Sequence, residues 1–476
     1  MKPGAFISFF CTSIIILISV ISGPGCANII PPEGGPRDTI PPVLLKAEPG
    51  DSARNFKGSR ITFTFDEFID VQNIGENLLV SPLPKSNPQV DFKLKTVTIR
   101  LKDTLESNTT YLLNFGNAIK DFTEGNPVKG FSYTFSTGSY IDSLEMQGKV
   151  ILAETGKIDT TLVVILHTSP NDSAVQKEKP RYIARLDSKG NFVFKNLPPK
   201  TFYVYTLKNE SGTYRYFGDK QLFGFADKPV TVQSKTEPVT LYAYASSPAA
   251  ATSAIPSINL NIGNRRKGPE TVDKRLKYQT NLVNNQQDLL TNFTMTFEQP
   301  LRMFDSSKIR LYTDSAFNPV ASYRFKKDSS NKKLLLNVEW KENTLYQVIM
   351  DKEFAEDSSG KKLLKTDTLS FTTKKLSEYG SLKIKFRNFP ADKNPVLQFV
   401  QNETIYKSFP LGSSEFSQQL FLPGEFELRI LYDKNKNGKW DPGEFFGRHK
   451  QPEIVMPVER KISIKTAWQN EFEIAL

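Results

Sequence analysis

The chain is poor in the side chains that carry covalent, redox and metal chemistry. Its 476 residues include two cysteines and two histidines. Cys11 lies inside an apolar N-terminal run and Cys26 just beyond it, so the rest of the chain has no thiol for a disulfide, a zinc site or a nucleophile. Stability then has to come from packed cores. His167 sits in the apolar stretch Leu162–His167 and reads as a packed residue, not a base. No Ser-His-Asp set, P-loop or dinucleotide fingerprint is present. Paired carboxylates such as Asp66-Glu67 occur, and a glycosidase can place two acids far apart in sequence. Short β-modules rarely frame a deep cleft, however, and the expectation is a protein that is not an enzyme. Trp340, Trp440 and Trp468 are too few and too scattered for a carbohydrate-stacking platform. After residue 22 no apolar run is long enough to span a bilayer.

What is present starts with an export signal. Met1–Gly4 carries one basic residue, Lys2, and positions 5–22 are almost wholly apolar before Ser22-Gly23-Pro24-Gly25-Cys26. A basic head, an apolar segment and small residues at its end define a secretion signal. A cysteine directly after the small residues resembles a bacterial lipoprotein signal, which implies a signal peptide over 1–25 and a covalent lipid on Cys26. The pattern departs from the usual box, which has Leu three residues before the cysteine where Gly23 stands here. The alternatives are a membrane-spanning anchor or a cleaved signal with an incidental cysteine. One acyl chain binds a membrane only marginally, whereas several on one residue hold stably. Residues 26–40 are rich in Pro and Gly and read as an extended tether.

From residue 41 the pattern changes to short alternating runs. Arg60–Phe65, Thr96–Leu101, Tyr111–Phe115 and Phe131–Phe135 each alternate polar and apolar with period two. Each is bounded by turn formers such as Glu48-Pro49-Gly50-Asp51 and Asp121–Pro127. Strands of this length within about one hundred residues predict a β-sandwich. Pro41-Pro42, Phe63-Thr64-Phe65-Asp66-Glu67, Thr110-Tyr111, Asp121 with Gly125-Asn126, and Phe135-Ser136-Thr137-Gly138 together resemble the bacterial Ig-like domain of S-layer proteins. The resemblance covers most of 41–138 and implies a spacer or docking module. Residues 139–245 form a second β-block. There, Gly190-Asn191-Phe192-Val193-Phe194, Leu197-Pro198-Pro199 and Phe202–Tyr205 resemble the transthyretin-like or carboxypeptidase-regulatory-like sandwich.

Positions 246–274, rich in Ala, Ser, Pro and Asn, read as a linker. The next blocks repeat the first two. Asn292–Glu298 parallels Phe63–Asp66, Leu334–Val338 parallels Val97–Leu101, Asn343–Ile349 parallels Thr109–Phe115, and Leu369–Thr373 parallels the strand ending at Thr137. This predicts a second Ig-like sandwich over 275–374 and a second transthyretin-like sandwich over 375–476. The fold class expected is therefore all-β, with tandem sandwiches in two pairs.

One motif has ligand spacing. Asp433, Asn435, Asn437, Gly438, Lys439, Asp441 and Glu444 fit the calcium-loop template along its full length. Calcium takes six to eight hard oxygens. Asp433, Asn435, Asn437, Asp441 and Glu444 would offer side-chain oxygens and Lys439 its carbonyl. The flanks do not suit a helical EF-hand, since Phe426–Tyr432 reads as a strand and Pro442-Gly443 would break an exiting helix. Three lysines also dilute the acids. The alternative is a plain turn in which Asp and Asn bond their own backbone.

The formal charge is +11, spread in short pairs such as Lys326-Lys327, Lys332-Lys333 and Lys374-Lys375. Strand-edge lysines that discourage aggregation explain most of them, and nucleic acid is not an expected partner. The composite resembles a Bacteroidota lipoprotein of the outer membrane. It implies a structural or protein-interaction module, with an assembly or export complex as one setting, a membrane contact through Cys26 and an envelope protein as partner. The rival reading is adhesion or glycan binding. Which membrane face the chain occupies is open.

Overall fold

The computed structural model describes residues 37–247 and 275–476. The signal run, Cys26 and most of the 246–274 stretch lie outside the described residues. The regular structure of the described chain is almost entirely strand, and the chain divides into two compact units, with the break between Ile141 and Asp142.

The first unit is a sandwich. One sheet carries Leu44–Glu48, Arg60–Phe65, Thr96–Arg100 and Gln89–Lys93 in that spatial order. The other carries Leu79–Ser81, Thr110–Gly116 and Phe131–Ser136. Because side chains alternate across a strand, Arg60–Phe65 sends Ile61, Phe63 and Phe65 inward and its threonines outward. These meet Val97, Ile99, Leu113 and Phe115, all fully buried. Phe63 and Phe115 meet edge to face with ring centroids 5.7 Å apart. Each such side chain contributes roughly 1.5–3 kcal/mol by burial. Polar groups then fix the loops. The Tyr111 hydroxyl accepts the Glu106 N–H at 2.9 Å, and buried Asp121 accepts the N–H groups of Glu124, Gly125 and Asn126.

Among the described residues the second unit holds three large cores and a small cluster of Val396, Leu431 and Val455. The middle large core, from Leu276 to Phe371, repeats the sheet order of the first unit and adds the short strands Gln286–Gln287 and Asn318–Pro319 to its second sheet. Its sheet order Tyr278–Thr280, Phe293–Phe297, Lys333–Asn337, Arg324–Lys327 matches the four-stranded sheet above. Tyr346 takes the place of Tyr111, accepting the Lys341 N–H at 3.2 Å. Asp357 takes the place of Asp121, accepting the N–H groups of Ser359 and Lys361. Arg324–Lys327 lies at a sheet edge, so Lys326 and Lys327 sit where charge blocks strand addition.

The other two cores also share one topology. In one, Leu144–Leu152 is flanked by antiparallel Asn191–Leu197 and parallel Val239–Ala243. In the other, Gly380–Arg387 is flanked by antiparallel Glu415–Phe421 and parallel Gln469–Ala475. Opposite them stand Tyr182–Arg185, Leu162–His167, Thr201–Lys208 and Phe223–Phe225 in the first, and Thr404–Pro410, Pro395–Gln401, Gly424–Tyr432 and Ile454–Pro457 in the second. Four sandwiches of two alternating topologies are what duplication of a two-sandwich segment would produce.

The parallel strand presses closely on its neighbour. A Cβ placed on Gly148 would lie 1.9 Å from the Val239 carbonyl oxygen and 2.6 Å from the Phe192 ring. Gly148→Ala is therefore expected to cost about 1–3 kcal/mol by overpacking. A fall in the urea midpoint with unchanged slope would show it, and an unchanged midpoint would refute it.

Candidate functional site

The candidate loop begins where Gly424–Tyr432 runs out of its sheet. Asp433 is 2% exposed, and its carboxylate accepts the N–H groups of Asn437 at 3.3 Å and Gly438 at 2.7 Å. The Asn435 side-chain oxygen accepts the Asn437 N–H at 3.0 Å, and the Asn437 oxygen accepts the Lys439 N–H at 2.7 Å. The chain passes through left-handed backbone at Lys436 and Gly438. Glycine takes that conformation at no steric cost, and self-bonded Asp and Asn side chains stabilise the turn. Both asparagine amides then donate to one Asp441 oxygen, at 2.6 and 2.7 Å.

Asp433, Asn435, Asn437 and Asp441 are thus brought together, and Lys439 joins them through its backbone. Glu444 points elsewhere. Its carboxylate pairs with Arg448 at 3.4 Å, and its backbone exchanges two 2.8 Å hydrogen bonds with Lys450.

The carboxylate that does close the loop is Glu453, which no spacing rule singled out. It is 2% exposed and accepts the N–H groups of Lys434 at 2.7 Å and Asp441 at 3.1 Å. Its backbone carbonyl accepts the Trp440 indole N–H at 2.8 Å. Burial pushes the Glu453 pKa above the ordinary glutamate value; the two N–H bonds offset part of this, and the charges of Asp433 and Asp441 add to it.

As a donor set these residues are hard oxygens, which suits calcium and not a softer metal. Their present use is structural. The oxygens of Asp433, Asn435 and Asn437 cap backbone N–H groups, and two amides face Asp441, so a cation would need those amides turned. No group of three or more His, Cys, Asp or Glu side chains is arranged to hold a metal among the described residues.

The segment after the loop crosses to the 144–243 sandwich. Phe445, 6% exposed, packs its ring 4.9 Å from Phe225, 5.3 Å from Phe223 and 5.5 Å from Tyr205. His449 stacks on Phe445 at 5.0 Å, and its Nε2 lies 2.8 Å from an Asp172 oxygen. The Gln451 amide donates to the Phe225 carbonyl at 2.9 Å, and the Val455 N–H to that of Ala153 at 2.9 Å. Two glycines permit the approach, since a Cβ would meet Tyr244 at 2.6 Å from Gly443 and Pro457 at 2.2 Å from Gly156. His167 lies under the same sheet face, edge-on to Tyr205, with its pKa pushed down to about 4 by burial. It is packed, as its apolar neighbours implied.

Comparison with known proteins bears on the first sandwich. Residues 38–137 match the bacterial Ig-like domain family, and this sandwich is a bacterial Ig-like domain. No curated protein matches the chain. Among solved structures, the Bacillus anthracis TIE protein is 12% identical over 94% of this chain and 75% of its own, with a TM-score of 0.17. The N-terminal part of the bacterial S-layer protein SbsC is 18% identical over 43% of this chain and 44% of its own, at 0.16. The major pilin subunit BcpA of Bacillus cereus is 9% identical over 70% of this chain and 99% of its own, at 0.17. Similarity this distant carries no argument about activity.

Glu453 makes a test possible. Its folded pKa is raised above 4.5. Between the two values the folded chain binds more protons than the unfolded one, so this contribution is complete below 4.5 and lost as pH rises through the folded value. Glu453→Gln is expected to flatten stability against pH in that window, read as urea midpoints for both proteins. Parallel curves would overturn the assignment.

Proposed function

We propose that the chain is a non-enzymatic, lipid-anchored module of a bacterial outer membrane, of Bacteroidota type, which presents tandem sandwiches to an envelope protein partner. The observation that carries this is the docking of the 380–475 sandwich onto the 144–243 sandwich through the 444–451 hairpin. That contact spends polar and aromatic side chains on holding modules together, which is the requirement of a scaffold. A subunit of an assembly or export complex fits it. Adhesion to glycans has less support, because Trp340 and Trp440 are engaged inside the fold and only Trp468 is well exposed. Among the described residues no helix is long and apolar enough to cross a membrane. The proposed attachment is through acyl groups on Cys26, on the strength of the signal-like run that precedes it. Cys26→Ser is expected to move the protein from the outer-membrane pellet to the soluble fraction. Retention in the pellet would refute the anchor. Affinity purification of the acylated protein should bring down a stoichiometric envelope partner.

The 433–441 loop is proposed to take calcium weakly, with Asp433, Asn435, Asn437, the Lys439 carbonyl and Asp441 as donors and Glu453 in the position the template gives to Glu444. Calorimetric titration of the full chain should then show heat that Asp433→Ala and Glu453→Gln abolish and Glu444→Ala leaves intact. No heat from the unaltered protein would sink the calcium reading.

A further inference from the structure

The first sandwich has two very different ends. At one end the loops are polar: Arg54, Asn55, Lys57 and Ser59, then Lys102, Glu106, Ser107 and Asn108, are exposed. At the other end three separate loops each expose a large apolar side chain. Phe68 is 54% exposed, Leu94 63% and Phe122 72%. They belong to one surface. The Ile69 N–H donates to the Leu94 carbonyl at 3.0 Å, the Phe122 N–H to the Phe68 carbonyl at 3.0 Å, and the Lys95 ammonium sits 5.6 Å from the Phe68 ring centre.

Leu94 breaks a local rule. It occupies the tight turn between Gln89–Lys93 and Thr96–Arg100 at φ +55. That position favours Asn, Asp or Gly, and a leucine there gains nothing from the fold because its side chain is out in solvent. An outlier of this kind points to use elsewhere.

The chain enters the sandwich at this same end. The Arg37 guanidinium donates to the Glu124 carbonyl, and the Asn126 amide to the Asp38 carbonyl, just beyond Phe122. Cys26 lies eleven residues before Arg37, a reach of roughly 40 Å when extended. The point of entry thus puts this end of the sandwich nearer to the tether than the polar end.

We infer that Phe68, Leu94 and Phe122 form a membrane-contact surface that seats the first sandwich on the lipid headgroups, a reading that rests on the anchor at Cys26. Exposed apolar tips beside a tether are how a peripheral domain adds area to a lipid anchor. Charge selects the lipid. Glu67 lies at this end, and its pKa is raised first by its own burial and then by the nearby charges of Asp121, Asp66, Asp38 and Glu124. Lys95 beside Phe68 and Arg37 at Glu124 put cations on the same end, so this surface matches a zwitterionic headgroup such as phosphatidylethanolamine, whose ammonium meets the carboxylates and whose phosphate meets the cations.

The test uses the acylated full-length mature protein in phosphatidylethanolamine-rich vesicles containing nitroxide-labelled lipids. With Cys26 blocked by its lipid, Leu94→Cys and Ser107→Cys each give a single thiol for an environment-sensitive fluorophore. Quenching is expected to be several-fold stronger at 94 than at 107, to weaken as phosphatidylglycerol replaces phosphatidylethanolamine, and to fall to the level at 107 in Phe68→Ser/Phe122→Ser. Both phenylalanines are exposed, so an unchanged unfolding midpoint will certify the variant. The mass of the N-terminal peptide reports acylation separately. Equal quenching at 94 and 107 on an acylated, vesicle-bound protein overturns the contact surface and leaves the anchor standing, and it directs the patch to a protein partner. An unacylated Cys26 overturns the anchor and, with it, the contact surface that rests on it.

Discussion

The seat of Phe445 is the contact on which the larger unit depends. Two sandwiches separated by an entire Ig-like repeat have to be held together without a disulfide. A ring buried against Phe223, Phe225 and Tyr205 supplies the apolar area, and truncating a buried phenylalanine costs about 3–5 kcal/mol in typical cores. The flanking ion pairs do less. Lys157–Glu403 and His449–Asp172 have substantially exposed partners, and such pairs contribute roughly 0–1 kcal/mol each. They orient the contact more than they hold it. The ring is aimed by the hairpin, which is held by the Glu444–Lys450 backbone pair, and the segment is fixed at its root by Glu453.

Duplication explains why the seat exists and why it is asymmetric. The loop that follows Thr201–Lys208 corresponds to the one that follows Gly424–Tyr432. In the first copy it folds back on its own sheet. Tyr216 packs 4.7 Å from Phe223, and Gln221 donates to the carbonyls of Lys208 and Arg215. In the second copy the Asp433 turn and the buried Glu453 tie up the root of the loop, and its tip extends outward to reach the other sandwich. The aromatic face that receives it is thus covered from both sides, by Tyr216 from within and by Phe445 from the partner sandwich.

Much of this was legible because strand periodicity is a local signal. Arg60–Phe65 and Phe293–Phe297 announce both their strands and which residues face inward, and the repeat lines up Tyr111 with Tyr346 and Asp121 with Asp357 before any coordinates are seen. The Asp433–Asp441 turn was legible for the same reason, since every bond in it spans a few residues. Glu453 was not. It lies twenty residues past Asp433 and is recruited by a hairpin whose return depends on packing. Glu444 illustrates the converse. A spacing template assumes the backbone path of a helical calcium loop, and Pro442-Gly443 sends the chain on a different path, so the side chain meets Arg448. Phe445 looked like any other aromatic residue, because nothing local tells a phenylalanine of one sandwich that its pocket belongs to another.

The places where the chain works against its own local preferences share a physical logic. Consistency between local preference and global structure is what gives a sequence one fold, and departures need compensation. Glu453 is a carboxylate in a dry site, and its compensation is in view: two N–H donors and a hairpin held in place. Gly148 gives up side-chain packing, and the compensation is a parallel strand drawn close. Leu94 has no such return within its sandwich. Its backbone is left-handed where asparagine would serve, and its side chain is in water. The same end carries four carboxylates close enough to raise the pKa of Glu67. Two unfavourable arrangements on one small surface, beside the point where the chain enters, are hard to reconcile with an end that faces only solvent. They are what an end shaped for a surface of mixed apolar and zwitterionic character would carry.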